Sequence, residues 1–147
     1  GARVVWVSSG GMYTQRLSLD DLDWRARRYH GATAYAQTKR MQVVLCELFA
    51  ERWGGDSVFH AMHPGWADTP AVRASLPTFW RLTRGRLRVP AQGADTVLWL
   101  AISEDAGRHP TAFWFDRAPR SAHLLPRTRE RAEDRQALWD LCAGLAG

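Results

Sequence analysis

A tyrosine and a lysine four positions apart, Tyr35 and Lys39, stand in the stretch AYAQTKRM. Residues at positions i and i+4 of a helix share one face, about one turn apart, so this spacing places a phenol and an ammonium group at the same cleft. The positive charge of an ammonium group favours the phenolate form of a nearby tyrosine, which eases proton exchange near neutral pH. The pair is therefore predicted to transfer protons.

Lys39 is the one lysine among the twenty basic residues of the chain, and the other nineteen are arginines. Arginine keeps its proton and carries a larger, planar head group, so it does not replace a compact, titratable ammonium group. A simple surface charge would not need this exception, and the single lysine therefore favours a specific role. The Tyr-x-x-x-Lys spacing alone is a weak motif, and it needs support from a second group.

A serine stands where such a second group would be useful. The run RVVWVS, residues 3–8, is nearly continuous in apolar residues, which predicts a buried parallel strand that stops at Ser9. A second strand is predicted over SVFHAMHPG, residues 57–65, where Pro64 ends strand pairing. The functional crevice of an open α/β sheet lies beyond the carboxyl ends of its strands, so Ser9 would meet Tyr35 there and hold a substrate oxygen. The alternative is that Ser9 only caps a turn.

Helical and strand patterns alternate along the chain. Helices are predicted from about Thr33 to Trp53, from Ala91 to Ser103 and from about Arg129 to Leu145, with a short strand at AFWFD. This order predicts an α/β fold with a partial Rossmann-type, doubly wound parallel sheet and flanking helices. About three strands are fewer than such a sheet usually has, so the chain is expected to hold part of one. The core stripe of the long helix is expected to comprise Met41, Val44, Leu45, Leu48 and Phe49.

The composition is typical of a globular protein, with 46% apolar and 24% charged residues. We expect residues 1–147 to form a single domain fragment, with a C-terminal linker and helix over residues 117–147. No apolar run reaches the roughly 18 residues that span a bilayer, and the opening GARVVWVSSGG is typical of a strand rather than of a signal peptide. Cys46 and Cys142 match no metal or redox spacing, so both are expected to be free in a reducing compartment, the cytoplasm.

The net charge of +5 accompanies arginines that are spread along the chain, and no nucleic-acid-binding motif accompanies them, so no nucleic-acid partner is predicted. His60 and His63 would face opposite sides of a strand and make poor joint metal ligands, and no metal site is predicted. A Ser-His-Asp hydrolase is disfavoured because VSSGG is not the Gly-x-Ser-x-Gly turn and because no helix is expected directly after the serine.

Three stretches together carry a resemblance to a known family: VVWVSSGG, then YAQTK with its tyrosine twenty-six residues after Ser9, then HPGWADT. They resemble the short-chain dehydrogenase/reductase superfamily, whose signature is a serine at a strand end, Tyr-x-x-x-Lys on the next helix and Pro-Gly-x-x-x-Thr after the following strand. The resemblance extends from about Arg3 to His123. It implies an oxidoreductase that interconverts a small-molecule carbonyl and alcohol with NAD or NADP as cofactor.

The resemblance also implies roles for individual residues. Tyr35 would be the general acid/base, and Lys39 would assist it and bind the nicotinamide ribose. Ser9 would orient the carbonyl or alcohol, with Ser8 the less favoured of the adjacent pair, and Trp66 would also meet the substrate. The residues implied in cofactor binding are Tyr35, Lys39, Pro64, Gly65, Trp66 and Thr69.

One family feature is missing from the sequence, because no stretch resembles the glycine-rich phosphate turn. The chain is therefore expected to be the C-terminal half of such an enzyme, with weak or no cofactor affinity when isolated. The alternative is a non-catalytic interaction module or pseudoenzyme fragment in which the open edge of strand 3–8 pairs with another chain. The choice between NAD and NADP and the formation of homo-oligomers stay open.

The segment FWRLTRGRLR, residues 79–88, combines aromatic residues with four arginines. Such a segment is typical of a solvated helix, whereas the family resemblance implies a lid over the substrate. Contact with a membrane surface or an anionic group also stays open for this segment.

Overall fold

The computed structural model describes residues 1–147, apart from the side chain of Arg127. Four strands form one open sheet: β1 at Arg3–Val7, β2 at Val58–Met62, β3 at Phe113–Phe115 and β4 at Ala118–Arg120. Their spatial order follows the sequence order. β1 and β2 pair in parallel, as do β2 and β3, whereas β4 runs antiparallel to β3.

The helices cover both faces of this sheet. They are α1 at Gly31–Trp53, α2 at Pro70–Ser75, α3 at Pro77–Thr83, α4 at Pro90–Ile102, α5 at Glu104–Arg108 and α6 at Ala132–Ala146. α1 packs on one face and α4 and α5 pack on the other, while α6 packs on the outer side of α1. Short 3-10 helices lie at Gly10–Thr14, Arg84–Arg86 and Pro126–Thr128. The predicted α/β class with a mostly parallel open sheet is confirmed.

The first two strands, β1 and β2, bury side chains on both faces of the sheet. Val4 and Trp6 of β1 pack toward α1, and Val5 packs toward α4. In β2, Phe59 packs on the α1 side of the sheet and Met62 packs on the α4 side. Because helices cover both faces, apolar residues follow one another along these strands instead of alternating with polar ones.

α1 is buried on two faces, and the predicted core stripe lies mainly on the one that turns away from the sheet. Val44 and Leu48 pack against Leu138 of α6, whereas the sheet contacts a face that holds Val43 and Cys46. Burial raises the pKa of Cys46 to about 12, so its thiol stays protonated and packs as a small apolar group. The other predicted members divide between the two faces: Met41, Leu45 and Phe49.

A fourth strand is the main difference from the about three strands predicted. β3 and β4 form a hairpin whose two connecting residues, Asp116 and Arg117, have φ angles of 54° and 55°. Positive φ at both positions matches the twist of a two-residue hairpin, but such turns are usually recognised in sequence by Asn-Gly or Asp-Gly. The segment expected to be a linker therefore begins with a strand.

Other boundaries also differ from the prediction. α1 starts at Gly31 because His30 caps it, accepting a hydrogen bond from the Thr33 N–H at 3.3 Å. A 3-10 helix follows Ser9 directly, where no helix was expected. The outer edge of β1 has no partner strand among the residues that the structure describes. None of the helices in that described part is long and apolar enough to cross a bilayer.

A buried ion pair joins α1 to the segment that precedes α6. The side chains of Arg40 and Glu130 are 2% and 3% exposed, and their charged groups are in direct contact. Arg40 also donates to the Ala122 carbonyl oxygen at 2.6 Å and to His123 Nδ1 at 2.7 Å. Burying two charges is costly unless they are paired and fully hydrogen-bonded, and this cluster meets both conditions.

Candidate active site

The carboxyl ends of β1 and β2 meet at one edge of the sheet. Gly10 follows β1 and His63 follows β2, and a Cβ atom added to Gly10 would lie 3.5 Å from His63 Cε1. This contact brings the loop after the first strand against the turn after the second. The ligand crevice that open α/β sheets form at this edge is therefore expected beside Ser9 and the Pro64-Gly65 turn.

Ser9 occupies the N-cap position of the 3-10 helix Gly10–Thr14. Its Oγ accepts a hydrogen bond from the Gly11 N–H at 3.2 Å. A hydroxyl group has one proton to donate as well as lone pairs to accept. The Ser9 hydroxyl proton has no acceptor among the residues that the structure describes. Ser9 therefore caps a turn and retains a donor for a ligand.

Ser8 has a different environment. Its side chain is buried, and its hydroxyl donates to the backbone oxygen of Lys39 at 2.8 Å. Its backbone N–H donates to the Met62 oxygen at 2.7 Å. Ser8 thus ties the end of β1 to α1 and β2, and its hydroxyl is already used.

Tyr35 lies beside Ser9 across Gly11. The position of a Cβ atom on Gly11 would be 3.6 Å from Ser9 Oγ and 3.8 Å from Tyr35 Cε1. The Tyr35 side chain lies on the exposed face of α1, since Tyr35 is 53% exposed while the next residue, Ala36, is 4% exposed. The hydroxyl of Ser9 and the ring of Tyr35 therefore border the same small space above a residue that has no side chain.

Lys39 lies one turn further along α1, with Nζ 5.6 Å from the centroid of the Tyr35 ring. Its ammonium group donates to the Val7 backbone oxygen at 2.9 Å and to Gln42 Oε1 at 3.0 Å. An ammonium group has three N–H donors, and these two contacts leave one of them. Lys39 is thus fixed between the end of β1 and the tyrosine ring with one donor remaining.

The Pro64-Gly65 turn is held by Arg88. Gly65 has a φ of +75°, and its N–H donates to His63 Nδ1 at 3.0 Å. A Cβ atom on Gly65 would lie 2.9 Å from Arg88 Nε, so glycine is needed for both its backbone angle and its lack of a side chain. Arg88 is anchored by a two-pronged ion pair with Asp116. The Arg88 guanidinium in turn lowers the pKa of the Asp116 carboxyl.

Trp66 and Thr69 follow the same turn. The Trp66 ring is half exposed and packs against Phe79 of α3 at a centroid distance of 4.5 Å. Thr69 caps α2, accepting a hydrogen bond from the Val72 N–H at 3.3 Å. Among the described residues, neither a hydrogen bond nor an aromatic pair joins Trp66 or Thr69 to Tyr35. The structure therefore places Ser9, Tyr35 and Lys39 in one group and the turn residues in a second group at the same edge.

His63 connects the two groups, whereas its sequence pattern only argued against a role in metal binding. Its ring stacks on Phe115 at 4.2 Å, and it links Gly10 to Gly65. Burial, together with the Arg88 charge, lowers the pKa of His63. His60 instead lies on the opposite face, where it bonds the Ala106 oxygen and accepts from Trp114. No group of three or more metal-binding side chains occurs in the described chain.

Two known proteins are similar in sequence to most of this chain. Dehydrogenase/reductase SDR family member 12 of Homo sapiens is 50% identical over 124 residues, a match that covers 83% of this chain and 38% of the relative. The protein of the same name from Bos taurus is 45% identical over 146 residues, covering 98% of this chain and 46% of the relative. The chain belongs to the short-chain dehydrogenase/reductase family. The predicted resemblance is thus confirmed.

A solved structure of an uncharacterised protein from Mycobacterium Paratuberculosis matches the fold with a TM-score of 0.70 at 28% identity. This match covers 98% of the chain and 50% of that protein. No family model matches the chain. The chain spans less than half the length of the two dehydrogenase/reductase relatives, 38% and 46%. Members of the short-chain dehydrogenase/reductase family generally use NAD(P), and the named relatives are dehydrogenase/reductases.

Proposed function

We propose that this chain supplies the proton-transfer side of an NAD(P)-dependent oxidoreductase that interconverts a carbonyl and an alcohol. The observation that carries the proposal is that Ser9 Oγ and the Tyr35 ring both lie within 4 Å of the Cβ position of Gly11, with Lys39 Nζ 5.6 Å from the centroid of that ring. These groups lie at the carboxyl edge of the parallel strands, where open α/β sheets bind their ligands.

In this proposal the substrate oxygen binds between the hydroxyl groups of Ser9 and Tyr35. The free Ser9 proton donates to the carbonyl oxygen and holds it in place, which also stabilises negative charge as it develops there. When bound at this edge, a nicotinamide cofactor would supply the hydride for reduction or accept it during oxidation. Tyr35 donates a proton to the substrate oxygen during reduction, and the tyrosinate takes it back during oxidation.

Lys39 supports Tyr35 in two ways. Its positive charge stabilises the tyrosinate that forms when the phenol gives up its proton. Its contacts with Val7 and Gln42 fix the ammonium group and leave one N–H, which we assign to a hydroxyl group of the nicotinamide ribose. Arginine would keep the charge but not this compact geometry.

The turn after β2 offers donors that fit a nicotinamide nucleotide. Among the described residues, neither the backbone N–H of Trp66 nor the hydroxyl proton of Thr69 has an acceptor. We assign Pro64, Gly65 and Trp66 to the nicotinamide and Thr69 to its carboxamide or the pyrophosphate. Trp66 is also the side chain that we expect to meet the substrate, under a lid formed by α3.

The test is nicotinamide turnover by the chain expressed within its native reading frame, followed by absorbance over a panel of carbonyl compounds. Tyr35→Phe is expected to lose on the order of 100-fold or more in kcat while cofactor binding is retained. Tyr29→Phe is the matched control, because Tyr29 is similarly exposed, at 66%, and lies outside the site. Unchanged turnover by Tyr35→Phe would remove this tyrosine from the mechanism.

A non-catalytic interaction module is the second candidate, favoured by the unpaired outer edge of β1 among the described residues. An open strand edge presents N–H and C=O groups that another chain can pair with. This candidate predicts no turnover and no nicotinamide binding by the protein in its native reading frame. Turnover that depends on Tyr35 would exclude it.

A further inference from the structure

The segment of residues 70–88, here called the basic arm, contains five arginines and no aspartate or glutamate. It comprises α2, α3 and the 3-10 helix Arg84–Arg86. Two of the arginines are neutralised, since Arg73 pairs with Asp68 and Arg88 pairs with Asp116. The other three have no carboxylate partner among the described residues: Arg81, Arg84 and Arg86.

An exposed leucine lies among these three arginines. Leu82 is 82% exposed, which is more than any other large apolar side chain among the described residues. Its helix neighbours turn the other way, because Phe79 packs on Trp66 and the indole Nε1–H of Trp80 donates to Asp68 at 2.9 Å. α3 thus anchors its aromatic side and leaves Arg81 and Leu82 exposed, while Arg84 and Arg86 are exposed on the 3-10 helix that follows.

We infer that the basic arm docks on an anionic lipid surface. Guanidinium groups bind lipid phosphates, often with two hydrogen bonds each, while the surface charge of an anionic bilayer attracts them from a distance. Leu82 gains by entering the acyl boundary, whereas a nucleic acid or an acidic peptide would leave this side chain in water. The combination of unpaired arginines and an exposed apolar side chain therefore favours a lipid surface over a soluble polyanion.

The arm is built to hold this shape. Proline occupies the first turn of both α2 and α3, where its fixed φ suits a helix start. Asp68 binds both Arg73 and Trp80, which ties the two short helices to the turn after β2. The arginines and Leu82 are consequently presented by short helical elements that Asp68 ties to the turn after β2.

The test is sedimentation of the 147-residue chain with vesicles of phosphatidylcholine alone or of phosphatidylcholine mixed with phosphatidylserine. We expect binding to the mixed vesicles only, and weaker binding as salt is added. Each arginine near an anionic surface contributes about fivefold to partitioning, so Arg81→Gln/Arg84→Gln/Arg86→Gln should lose about 100-fold. Leu82→Ser should lose about tenfold, since it removes the inserted apolar group.

A control variant removes the same charge elsewhere, from arginines that are exposed and have no carboxylate partner among the described residues: Arg16, Arg28 and Arg129. It should keep most of the vesicle binding, and thermal melting of every variant should match the parent chain. The inference is overturned if neither vesicle binds, or if the control loses as much as the arm variant. Equal binding to a short DNA duplex, unaffected by Leu82→Ser, would also overturn it and identify a general polyanion site.

Discussion

Ser9 and Tyr35 both border Gly11, with Ser9 Oγ 3.6 Å and Tyr35 Cε1 3.8 Å from the position of a Cβ atom on that glycine. A methyl group there would make only ordinary contacts, so Gly11→Ala should fold normally. It would nevertheless occupy the space between the two hydroxyl-bearing side chains. We expect kcat/KM to fall on the order of 10- to 100-fold, because small displacements of reacting groups are costly.

The control for this variant is Gly10→Ala, whose methyl group would contact His63 Cε1 at 3.5 Å instead. Steady-state kinetics should show a clearly smaller loss for Gly10→Ala, while urea denaturation should show similar stability for both. Full activity of Gly11→Ala would mean that the substrate oxygen does not bind between Ser9 and Tyr35.

Gly65→Ala should act through both stability and the site. Gly65 has a φ of +75°, and the added Cβ would lie 2.9 Å from Arg88 Nε, so the turn would have to move. We expect a loss of about 1–3 kcal/mol in the free energy of unfolding, measured by urea denaturation. Gly85→Ala is the control, because no atom lies within 4 Å of its Cβ position and it should change stability little. A neutral Gly65→Ala would show that this turn tolerates rearrangement.

The buried Arg40–Glu130 pair should be the most sensitive polar contact in the fold. Glu130→Gln leaves the 2% exposed Arg40 without a counter-charge, which typically costs about 3–5 kcal/mol of unfolding free energy. Arg40→Leu/Glu130→Leu removes both charges and should be less destabilised than Glu130→Gln alone. Equilibrium urea denaturation of the variants measures both effects, and a double variant that is destabilised at least as much as Glu130→Gln would contradict this expectation.

Stability should fall as the pH is lowered from about 7 to about 5. Burial lowers the pKa of His60, His63 and His123 from the ordinary value of 6.5. The folded chain therefore keeps these rings neutral while the unfolded chain takes up protons near that value. The unfolded state binds more protons in this pH range, so the free energy of unfolding rises with pH across it.

The measurement is urea denaturation at several pH values for the parent chain and for His123→Gln. The variant should show a shallower dependence on pH, since one of the three histidines with lowered pKa is gone. An identical slope for the parent chain and His123→Gln would show that His123 does not contribute.

The sequence by itself determined the strands and helices that local residue patterns identify. Continuous apolar runs identified the buried strands, and helical spacing placed Tyr35 and Lys39 on one face of α1. Strand order then placed Ser9 at the edge where parallel sheets bind ligands. These properties depend on residues that are close in the chain, and the α/β class and the family are confirmed. The assignment of catalytic and cofactor-binding roles stays a prediction.

Only the tertiary structure decided which surfaces meet. The buried stripe of α1 that contacts α6, the hairpin at Asp116-Arg117 and the Arg40–Glu130 pair each depend on partners or backbone angles that local patterns do not encode. The same applies to the adjacent serines, since Ser8 binds Lys39 and Ser9 keeps a free proton. These contacts form between segments that are distant in the chain. Many pairs of segments have a similar composition, and shape and hydrogen bonding select the pairs that pack together.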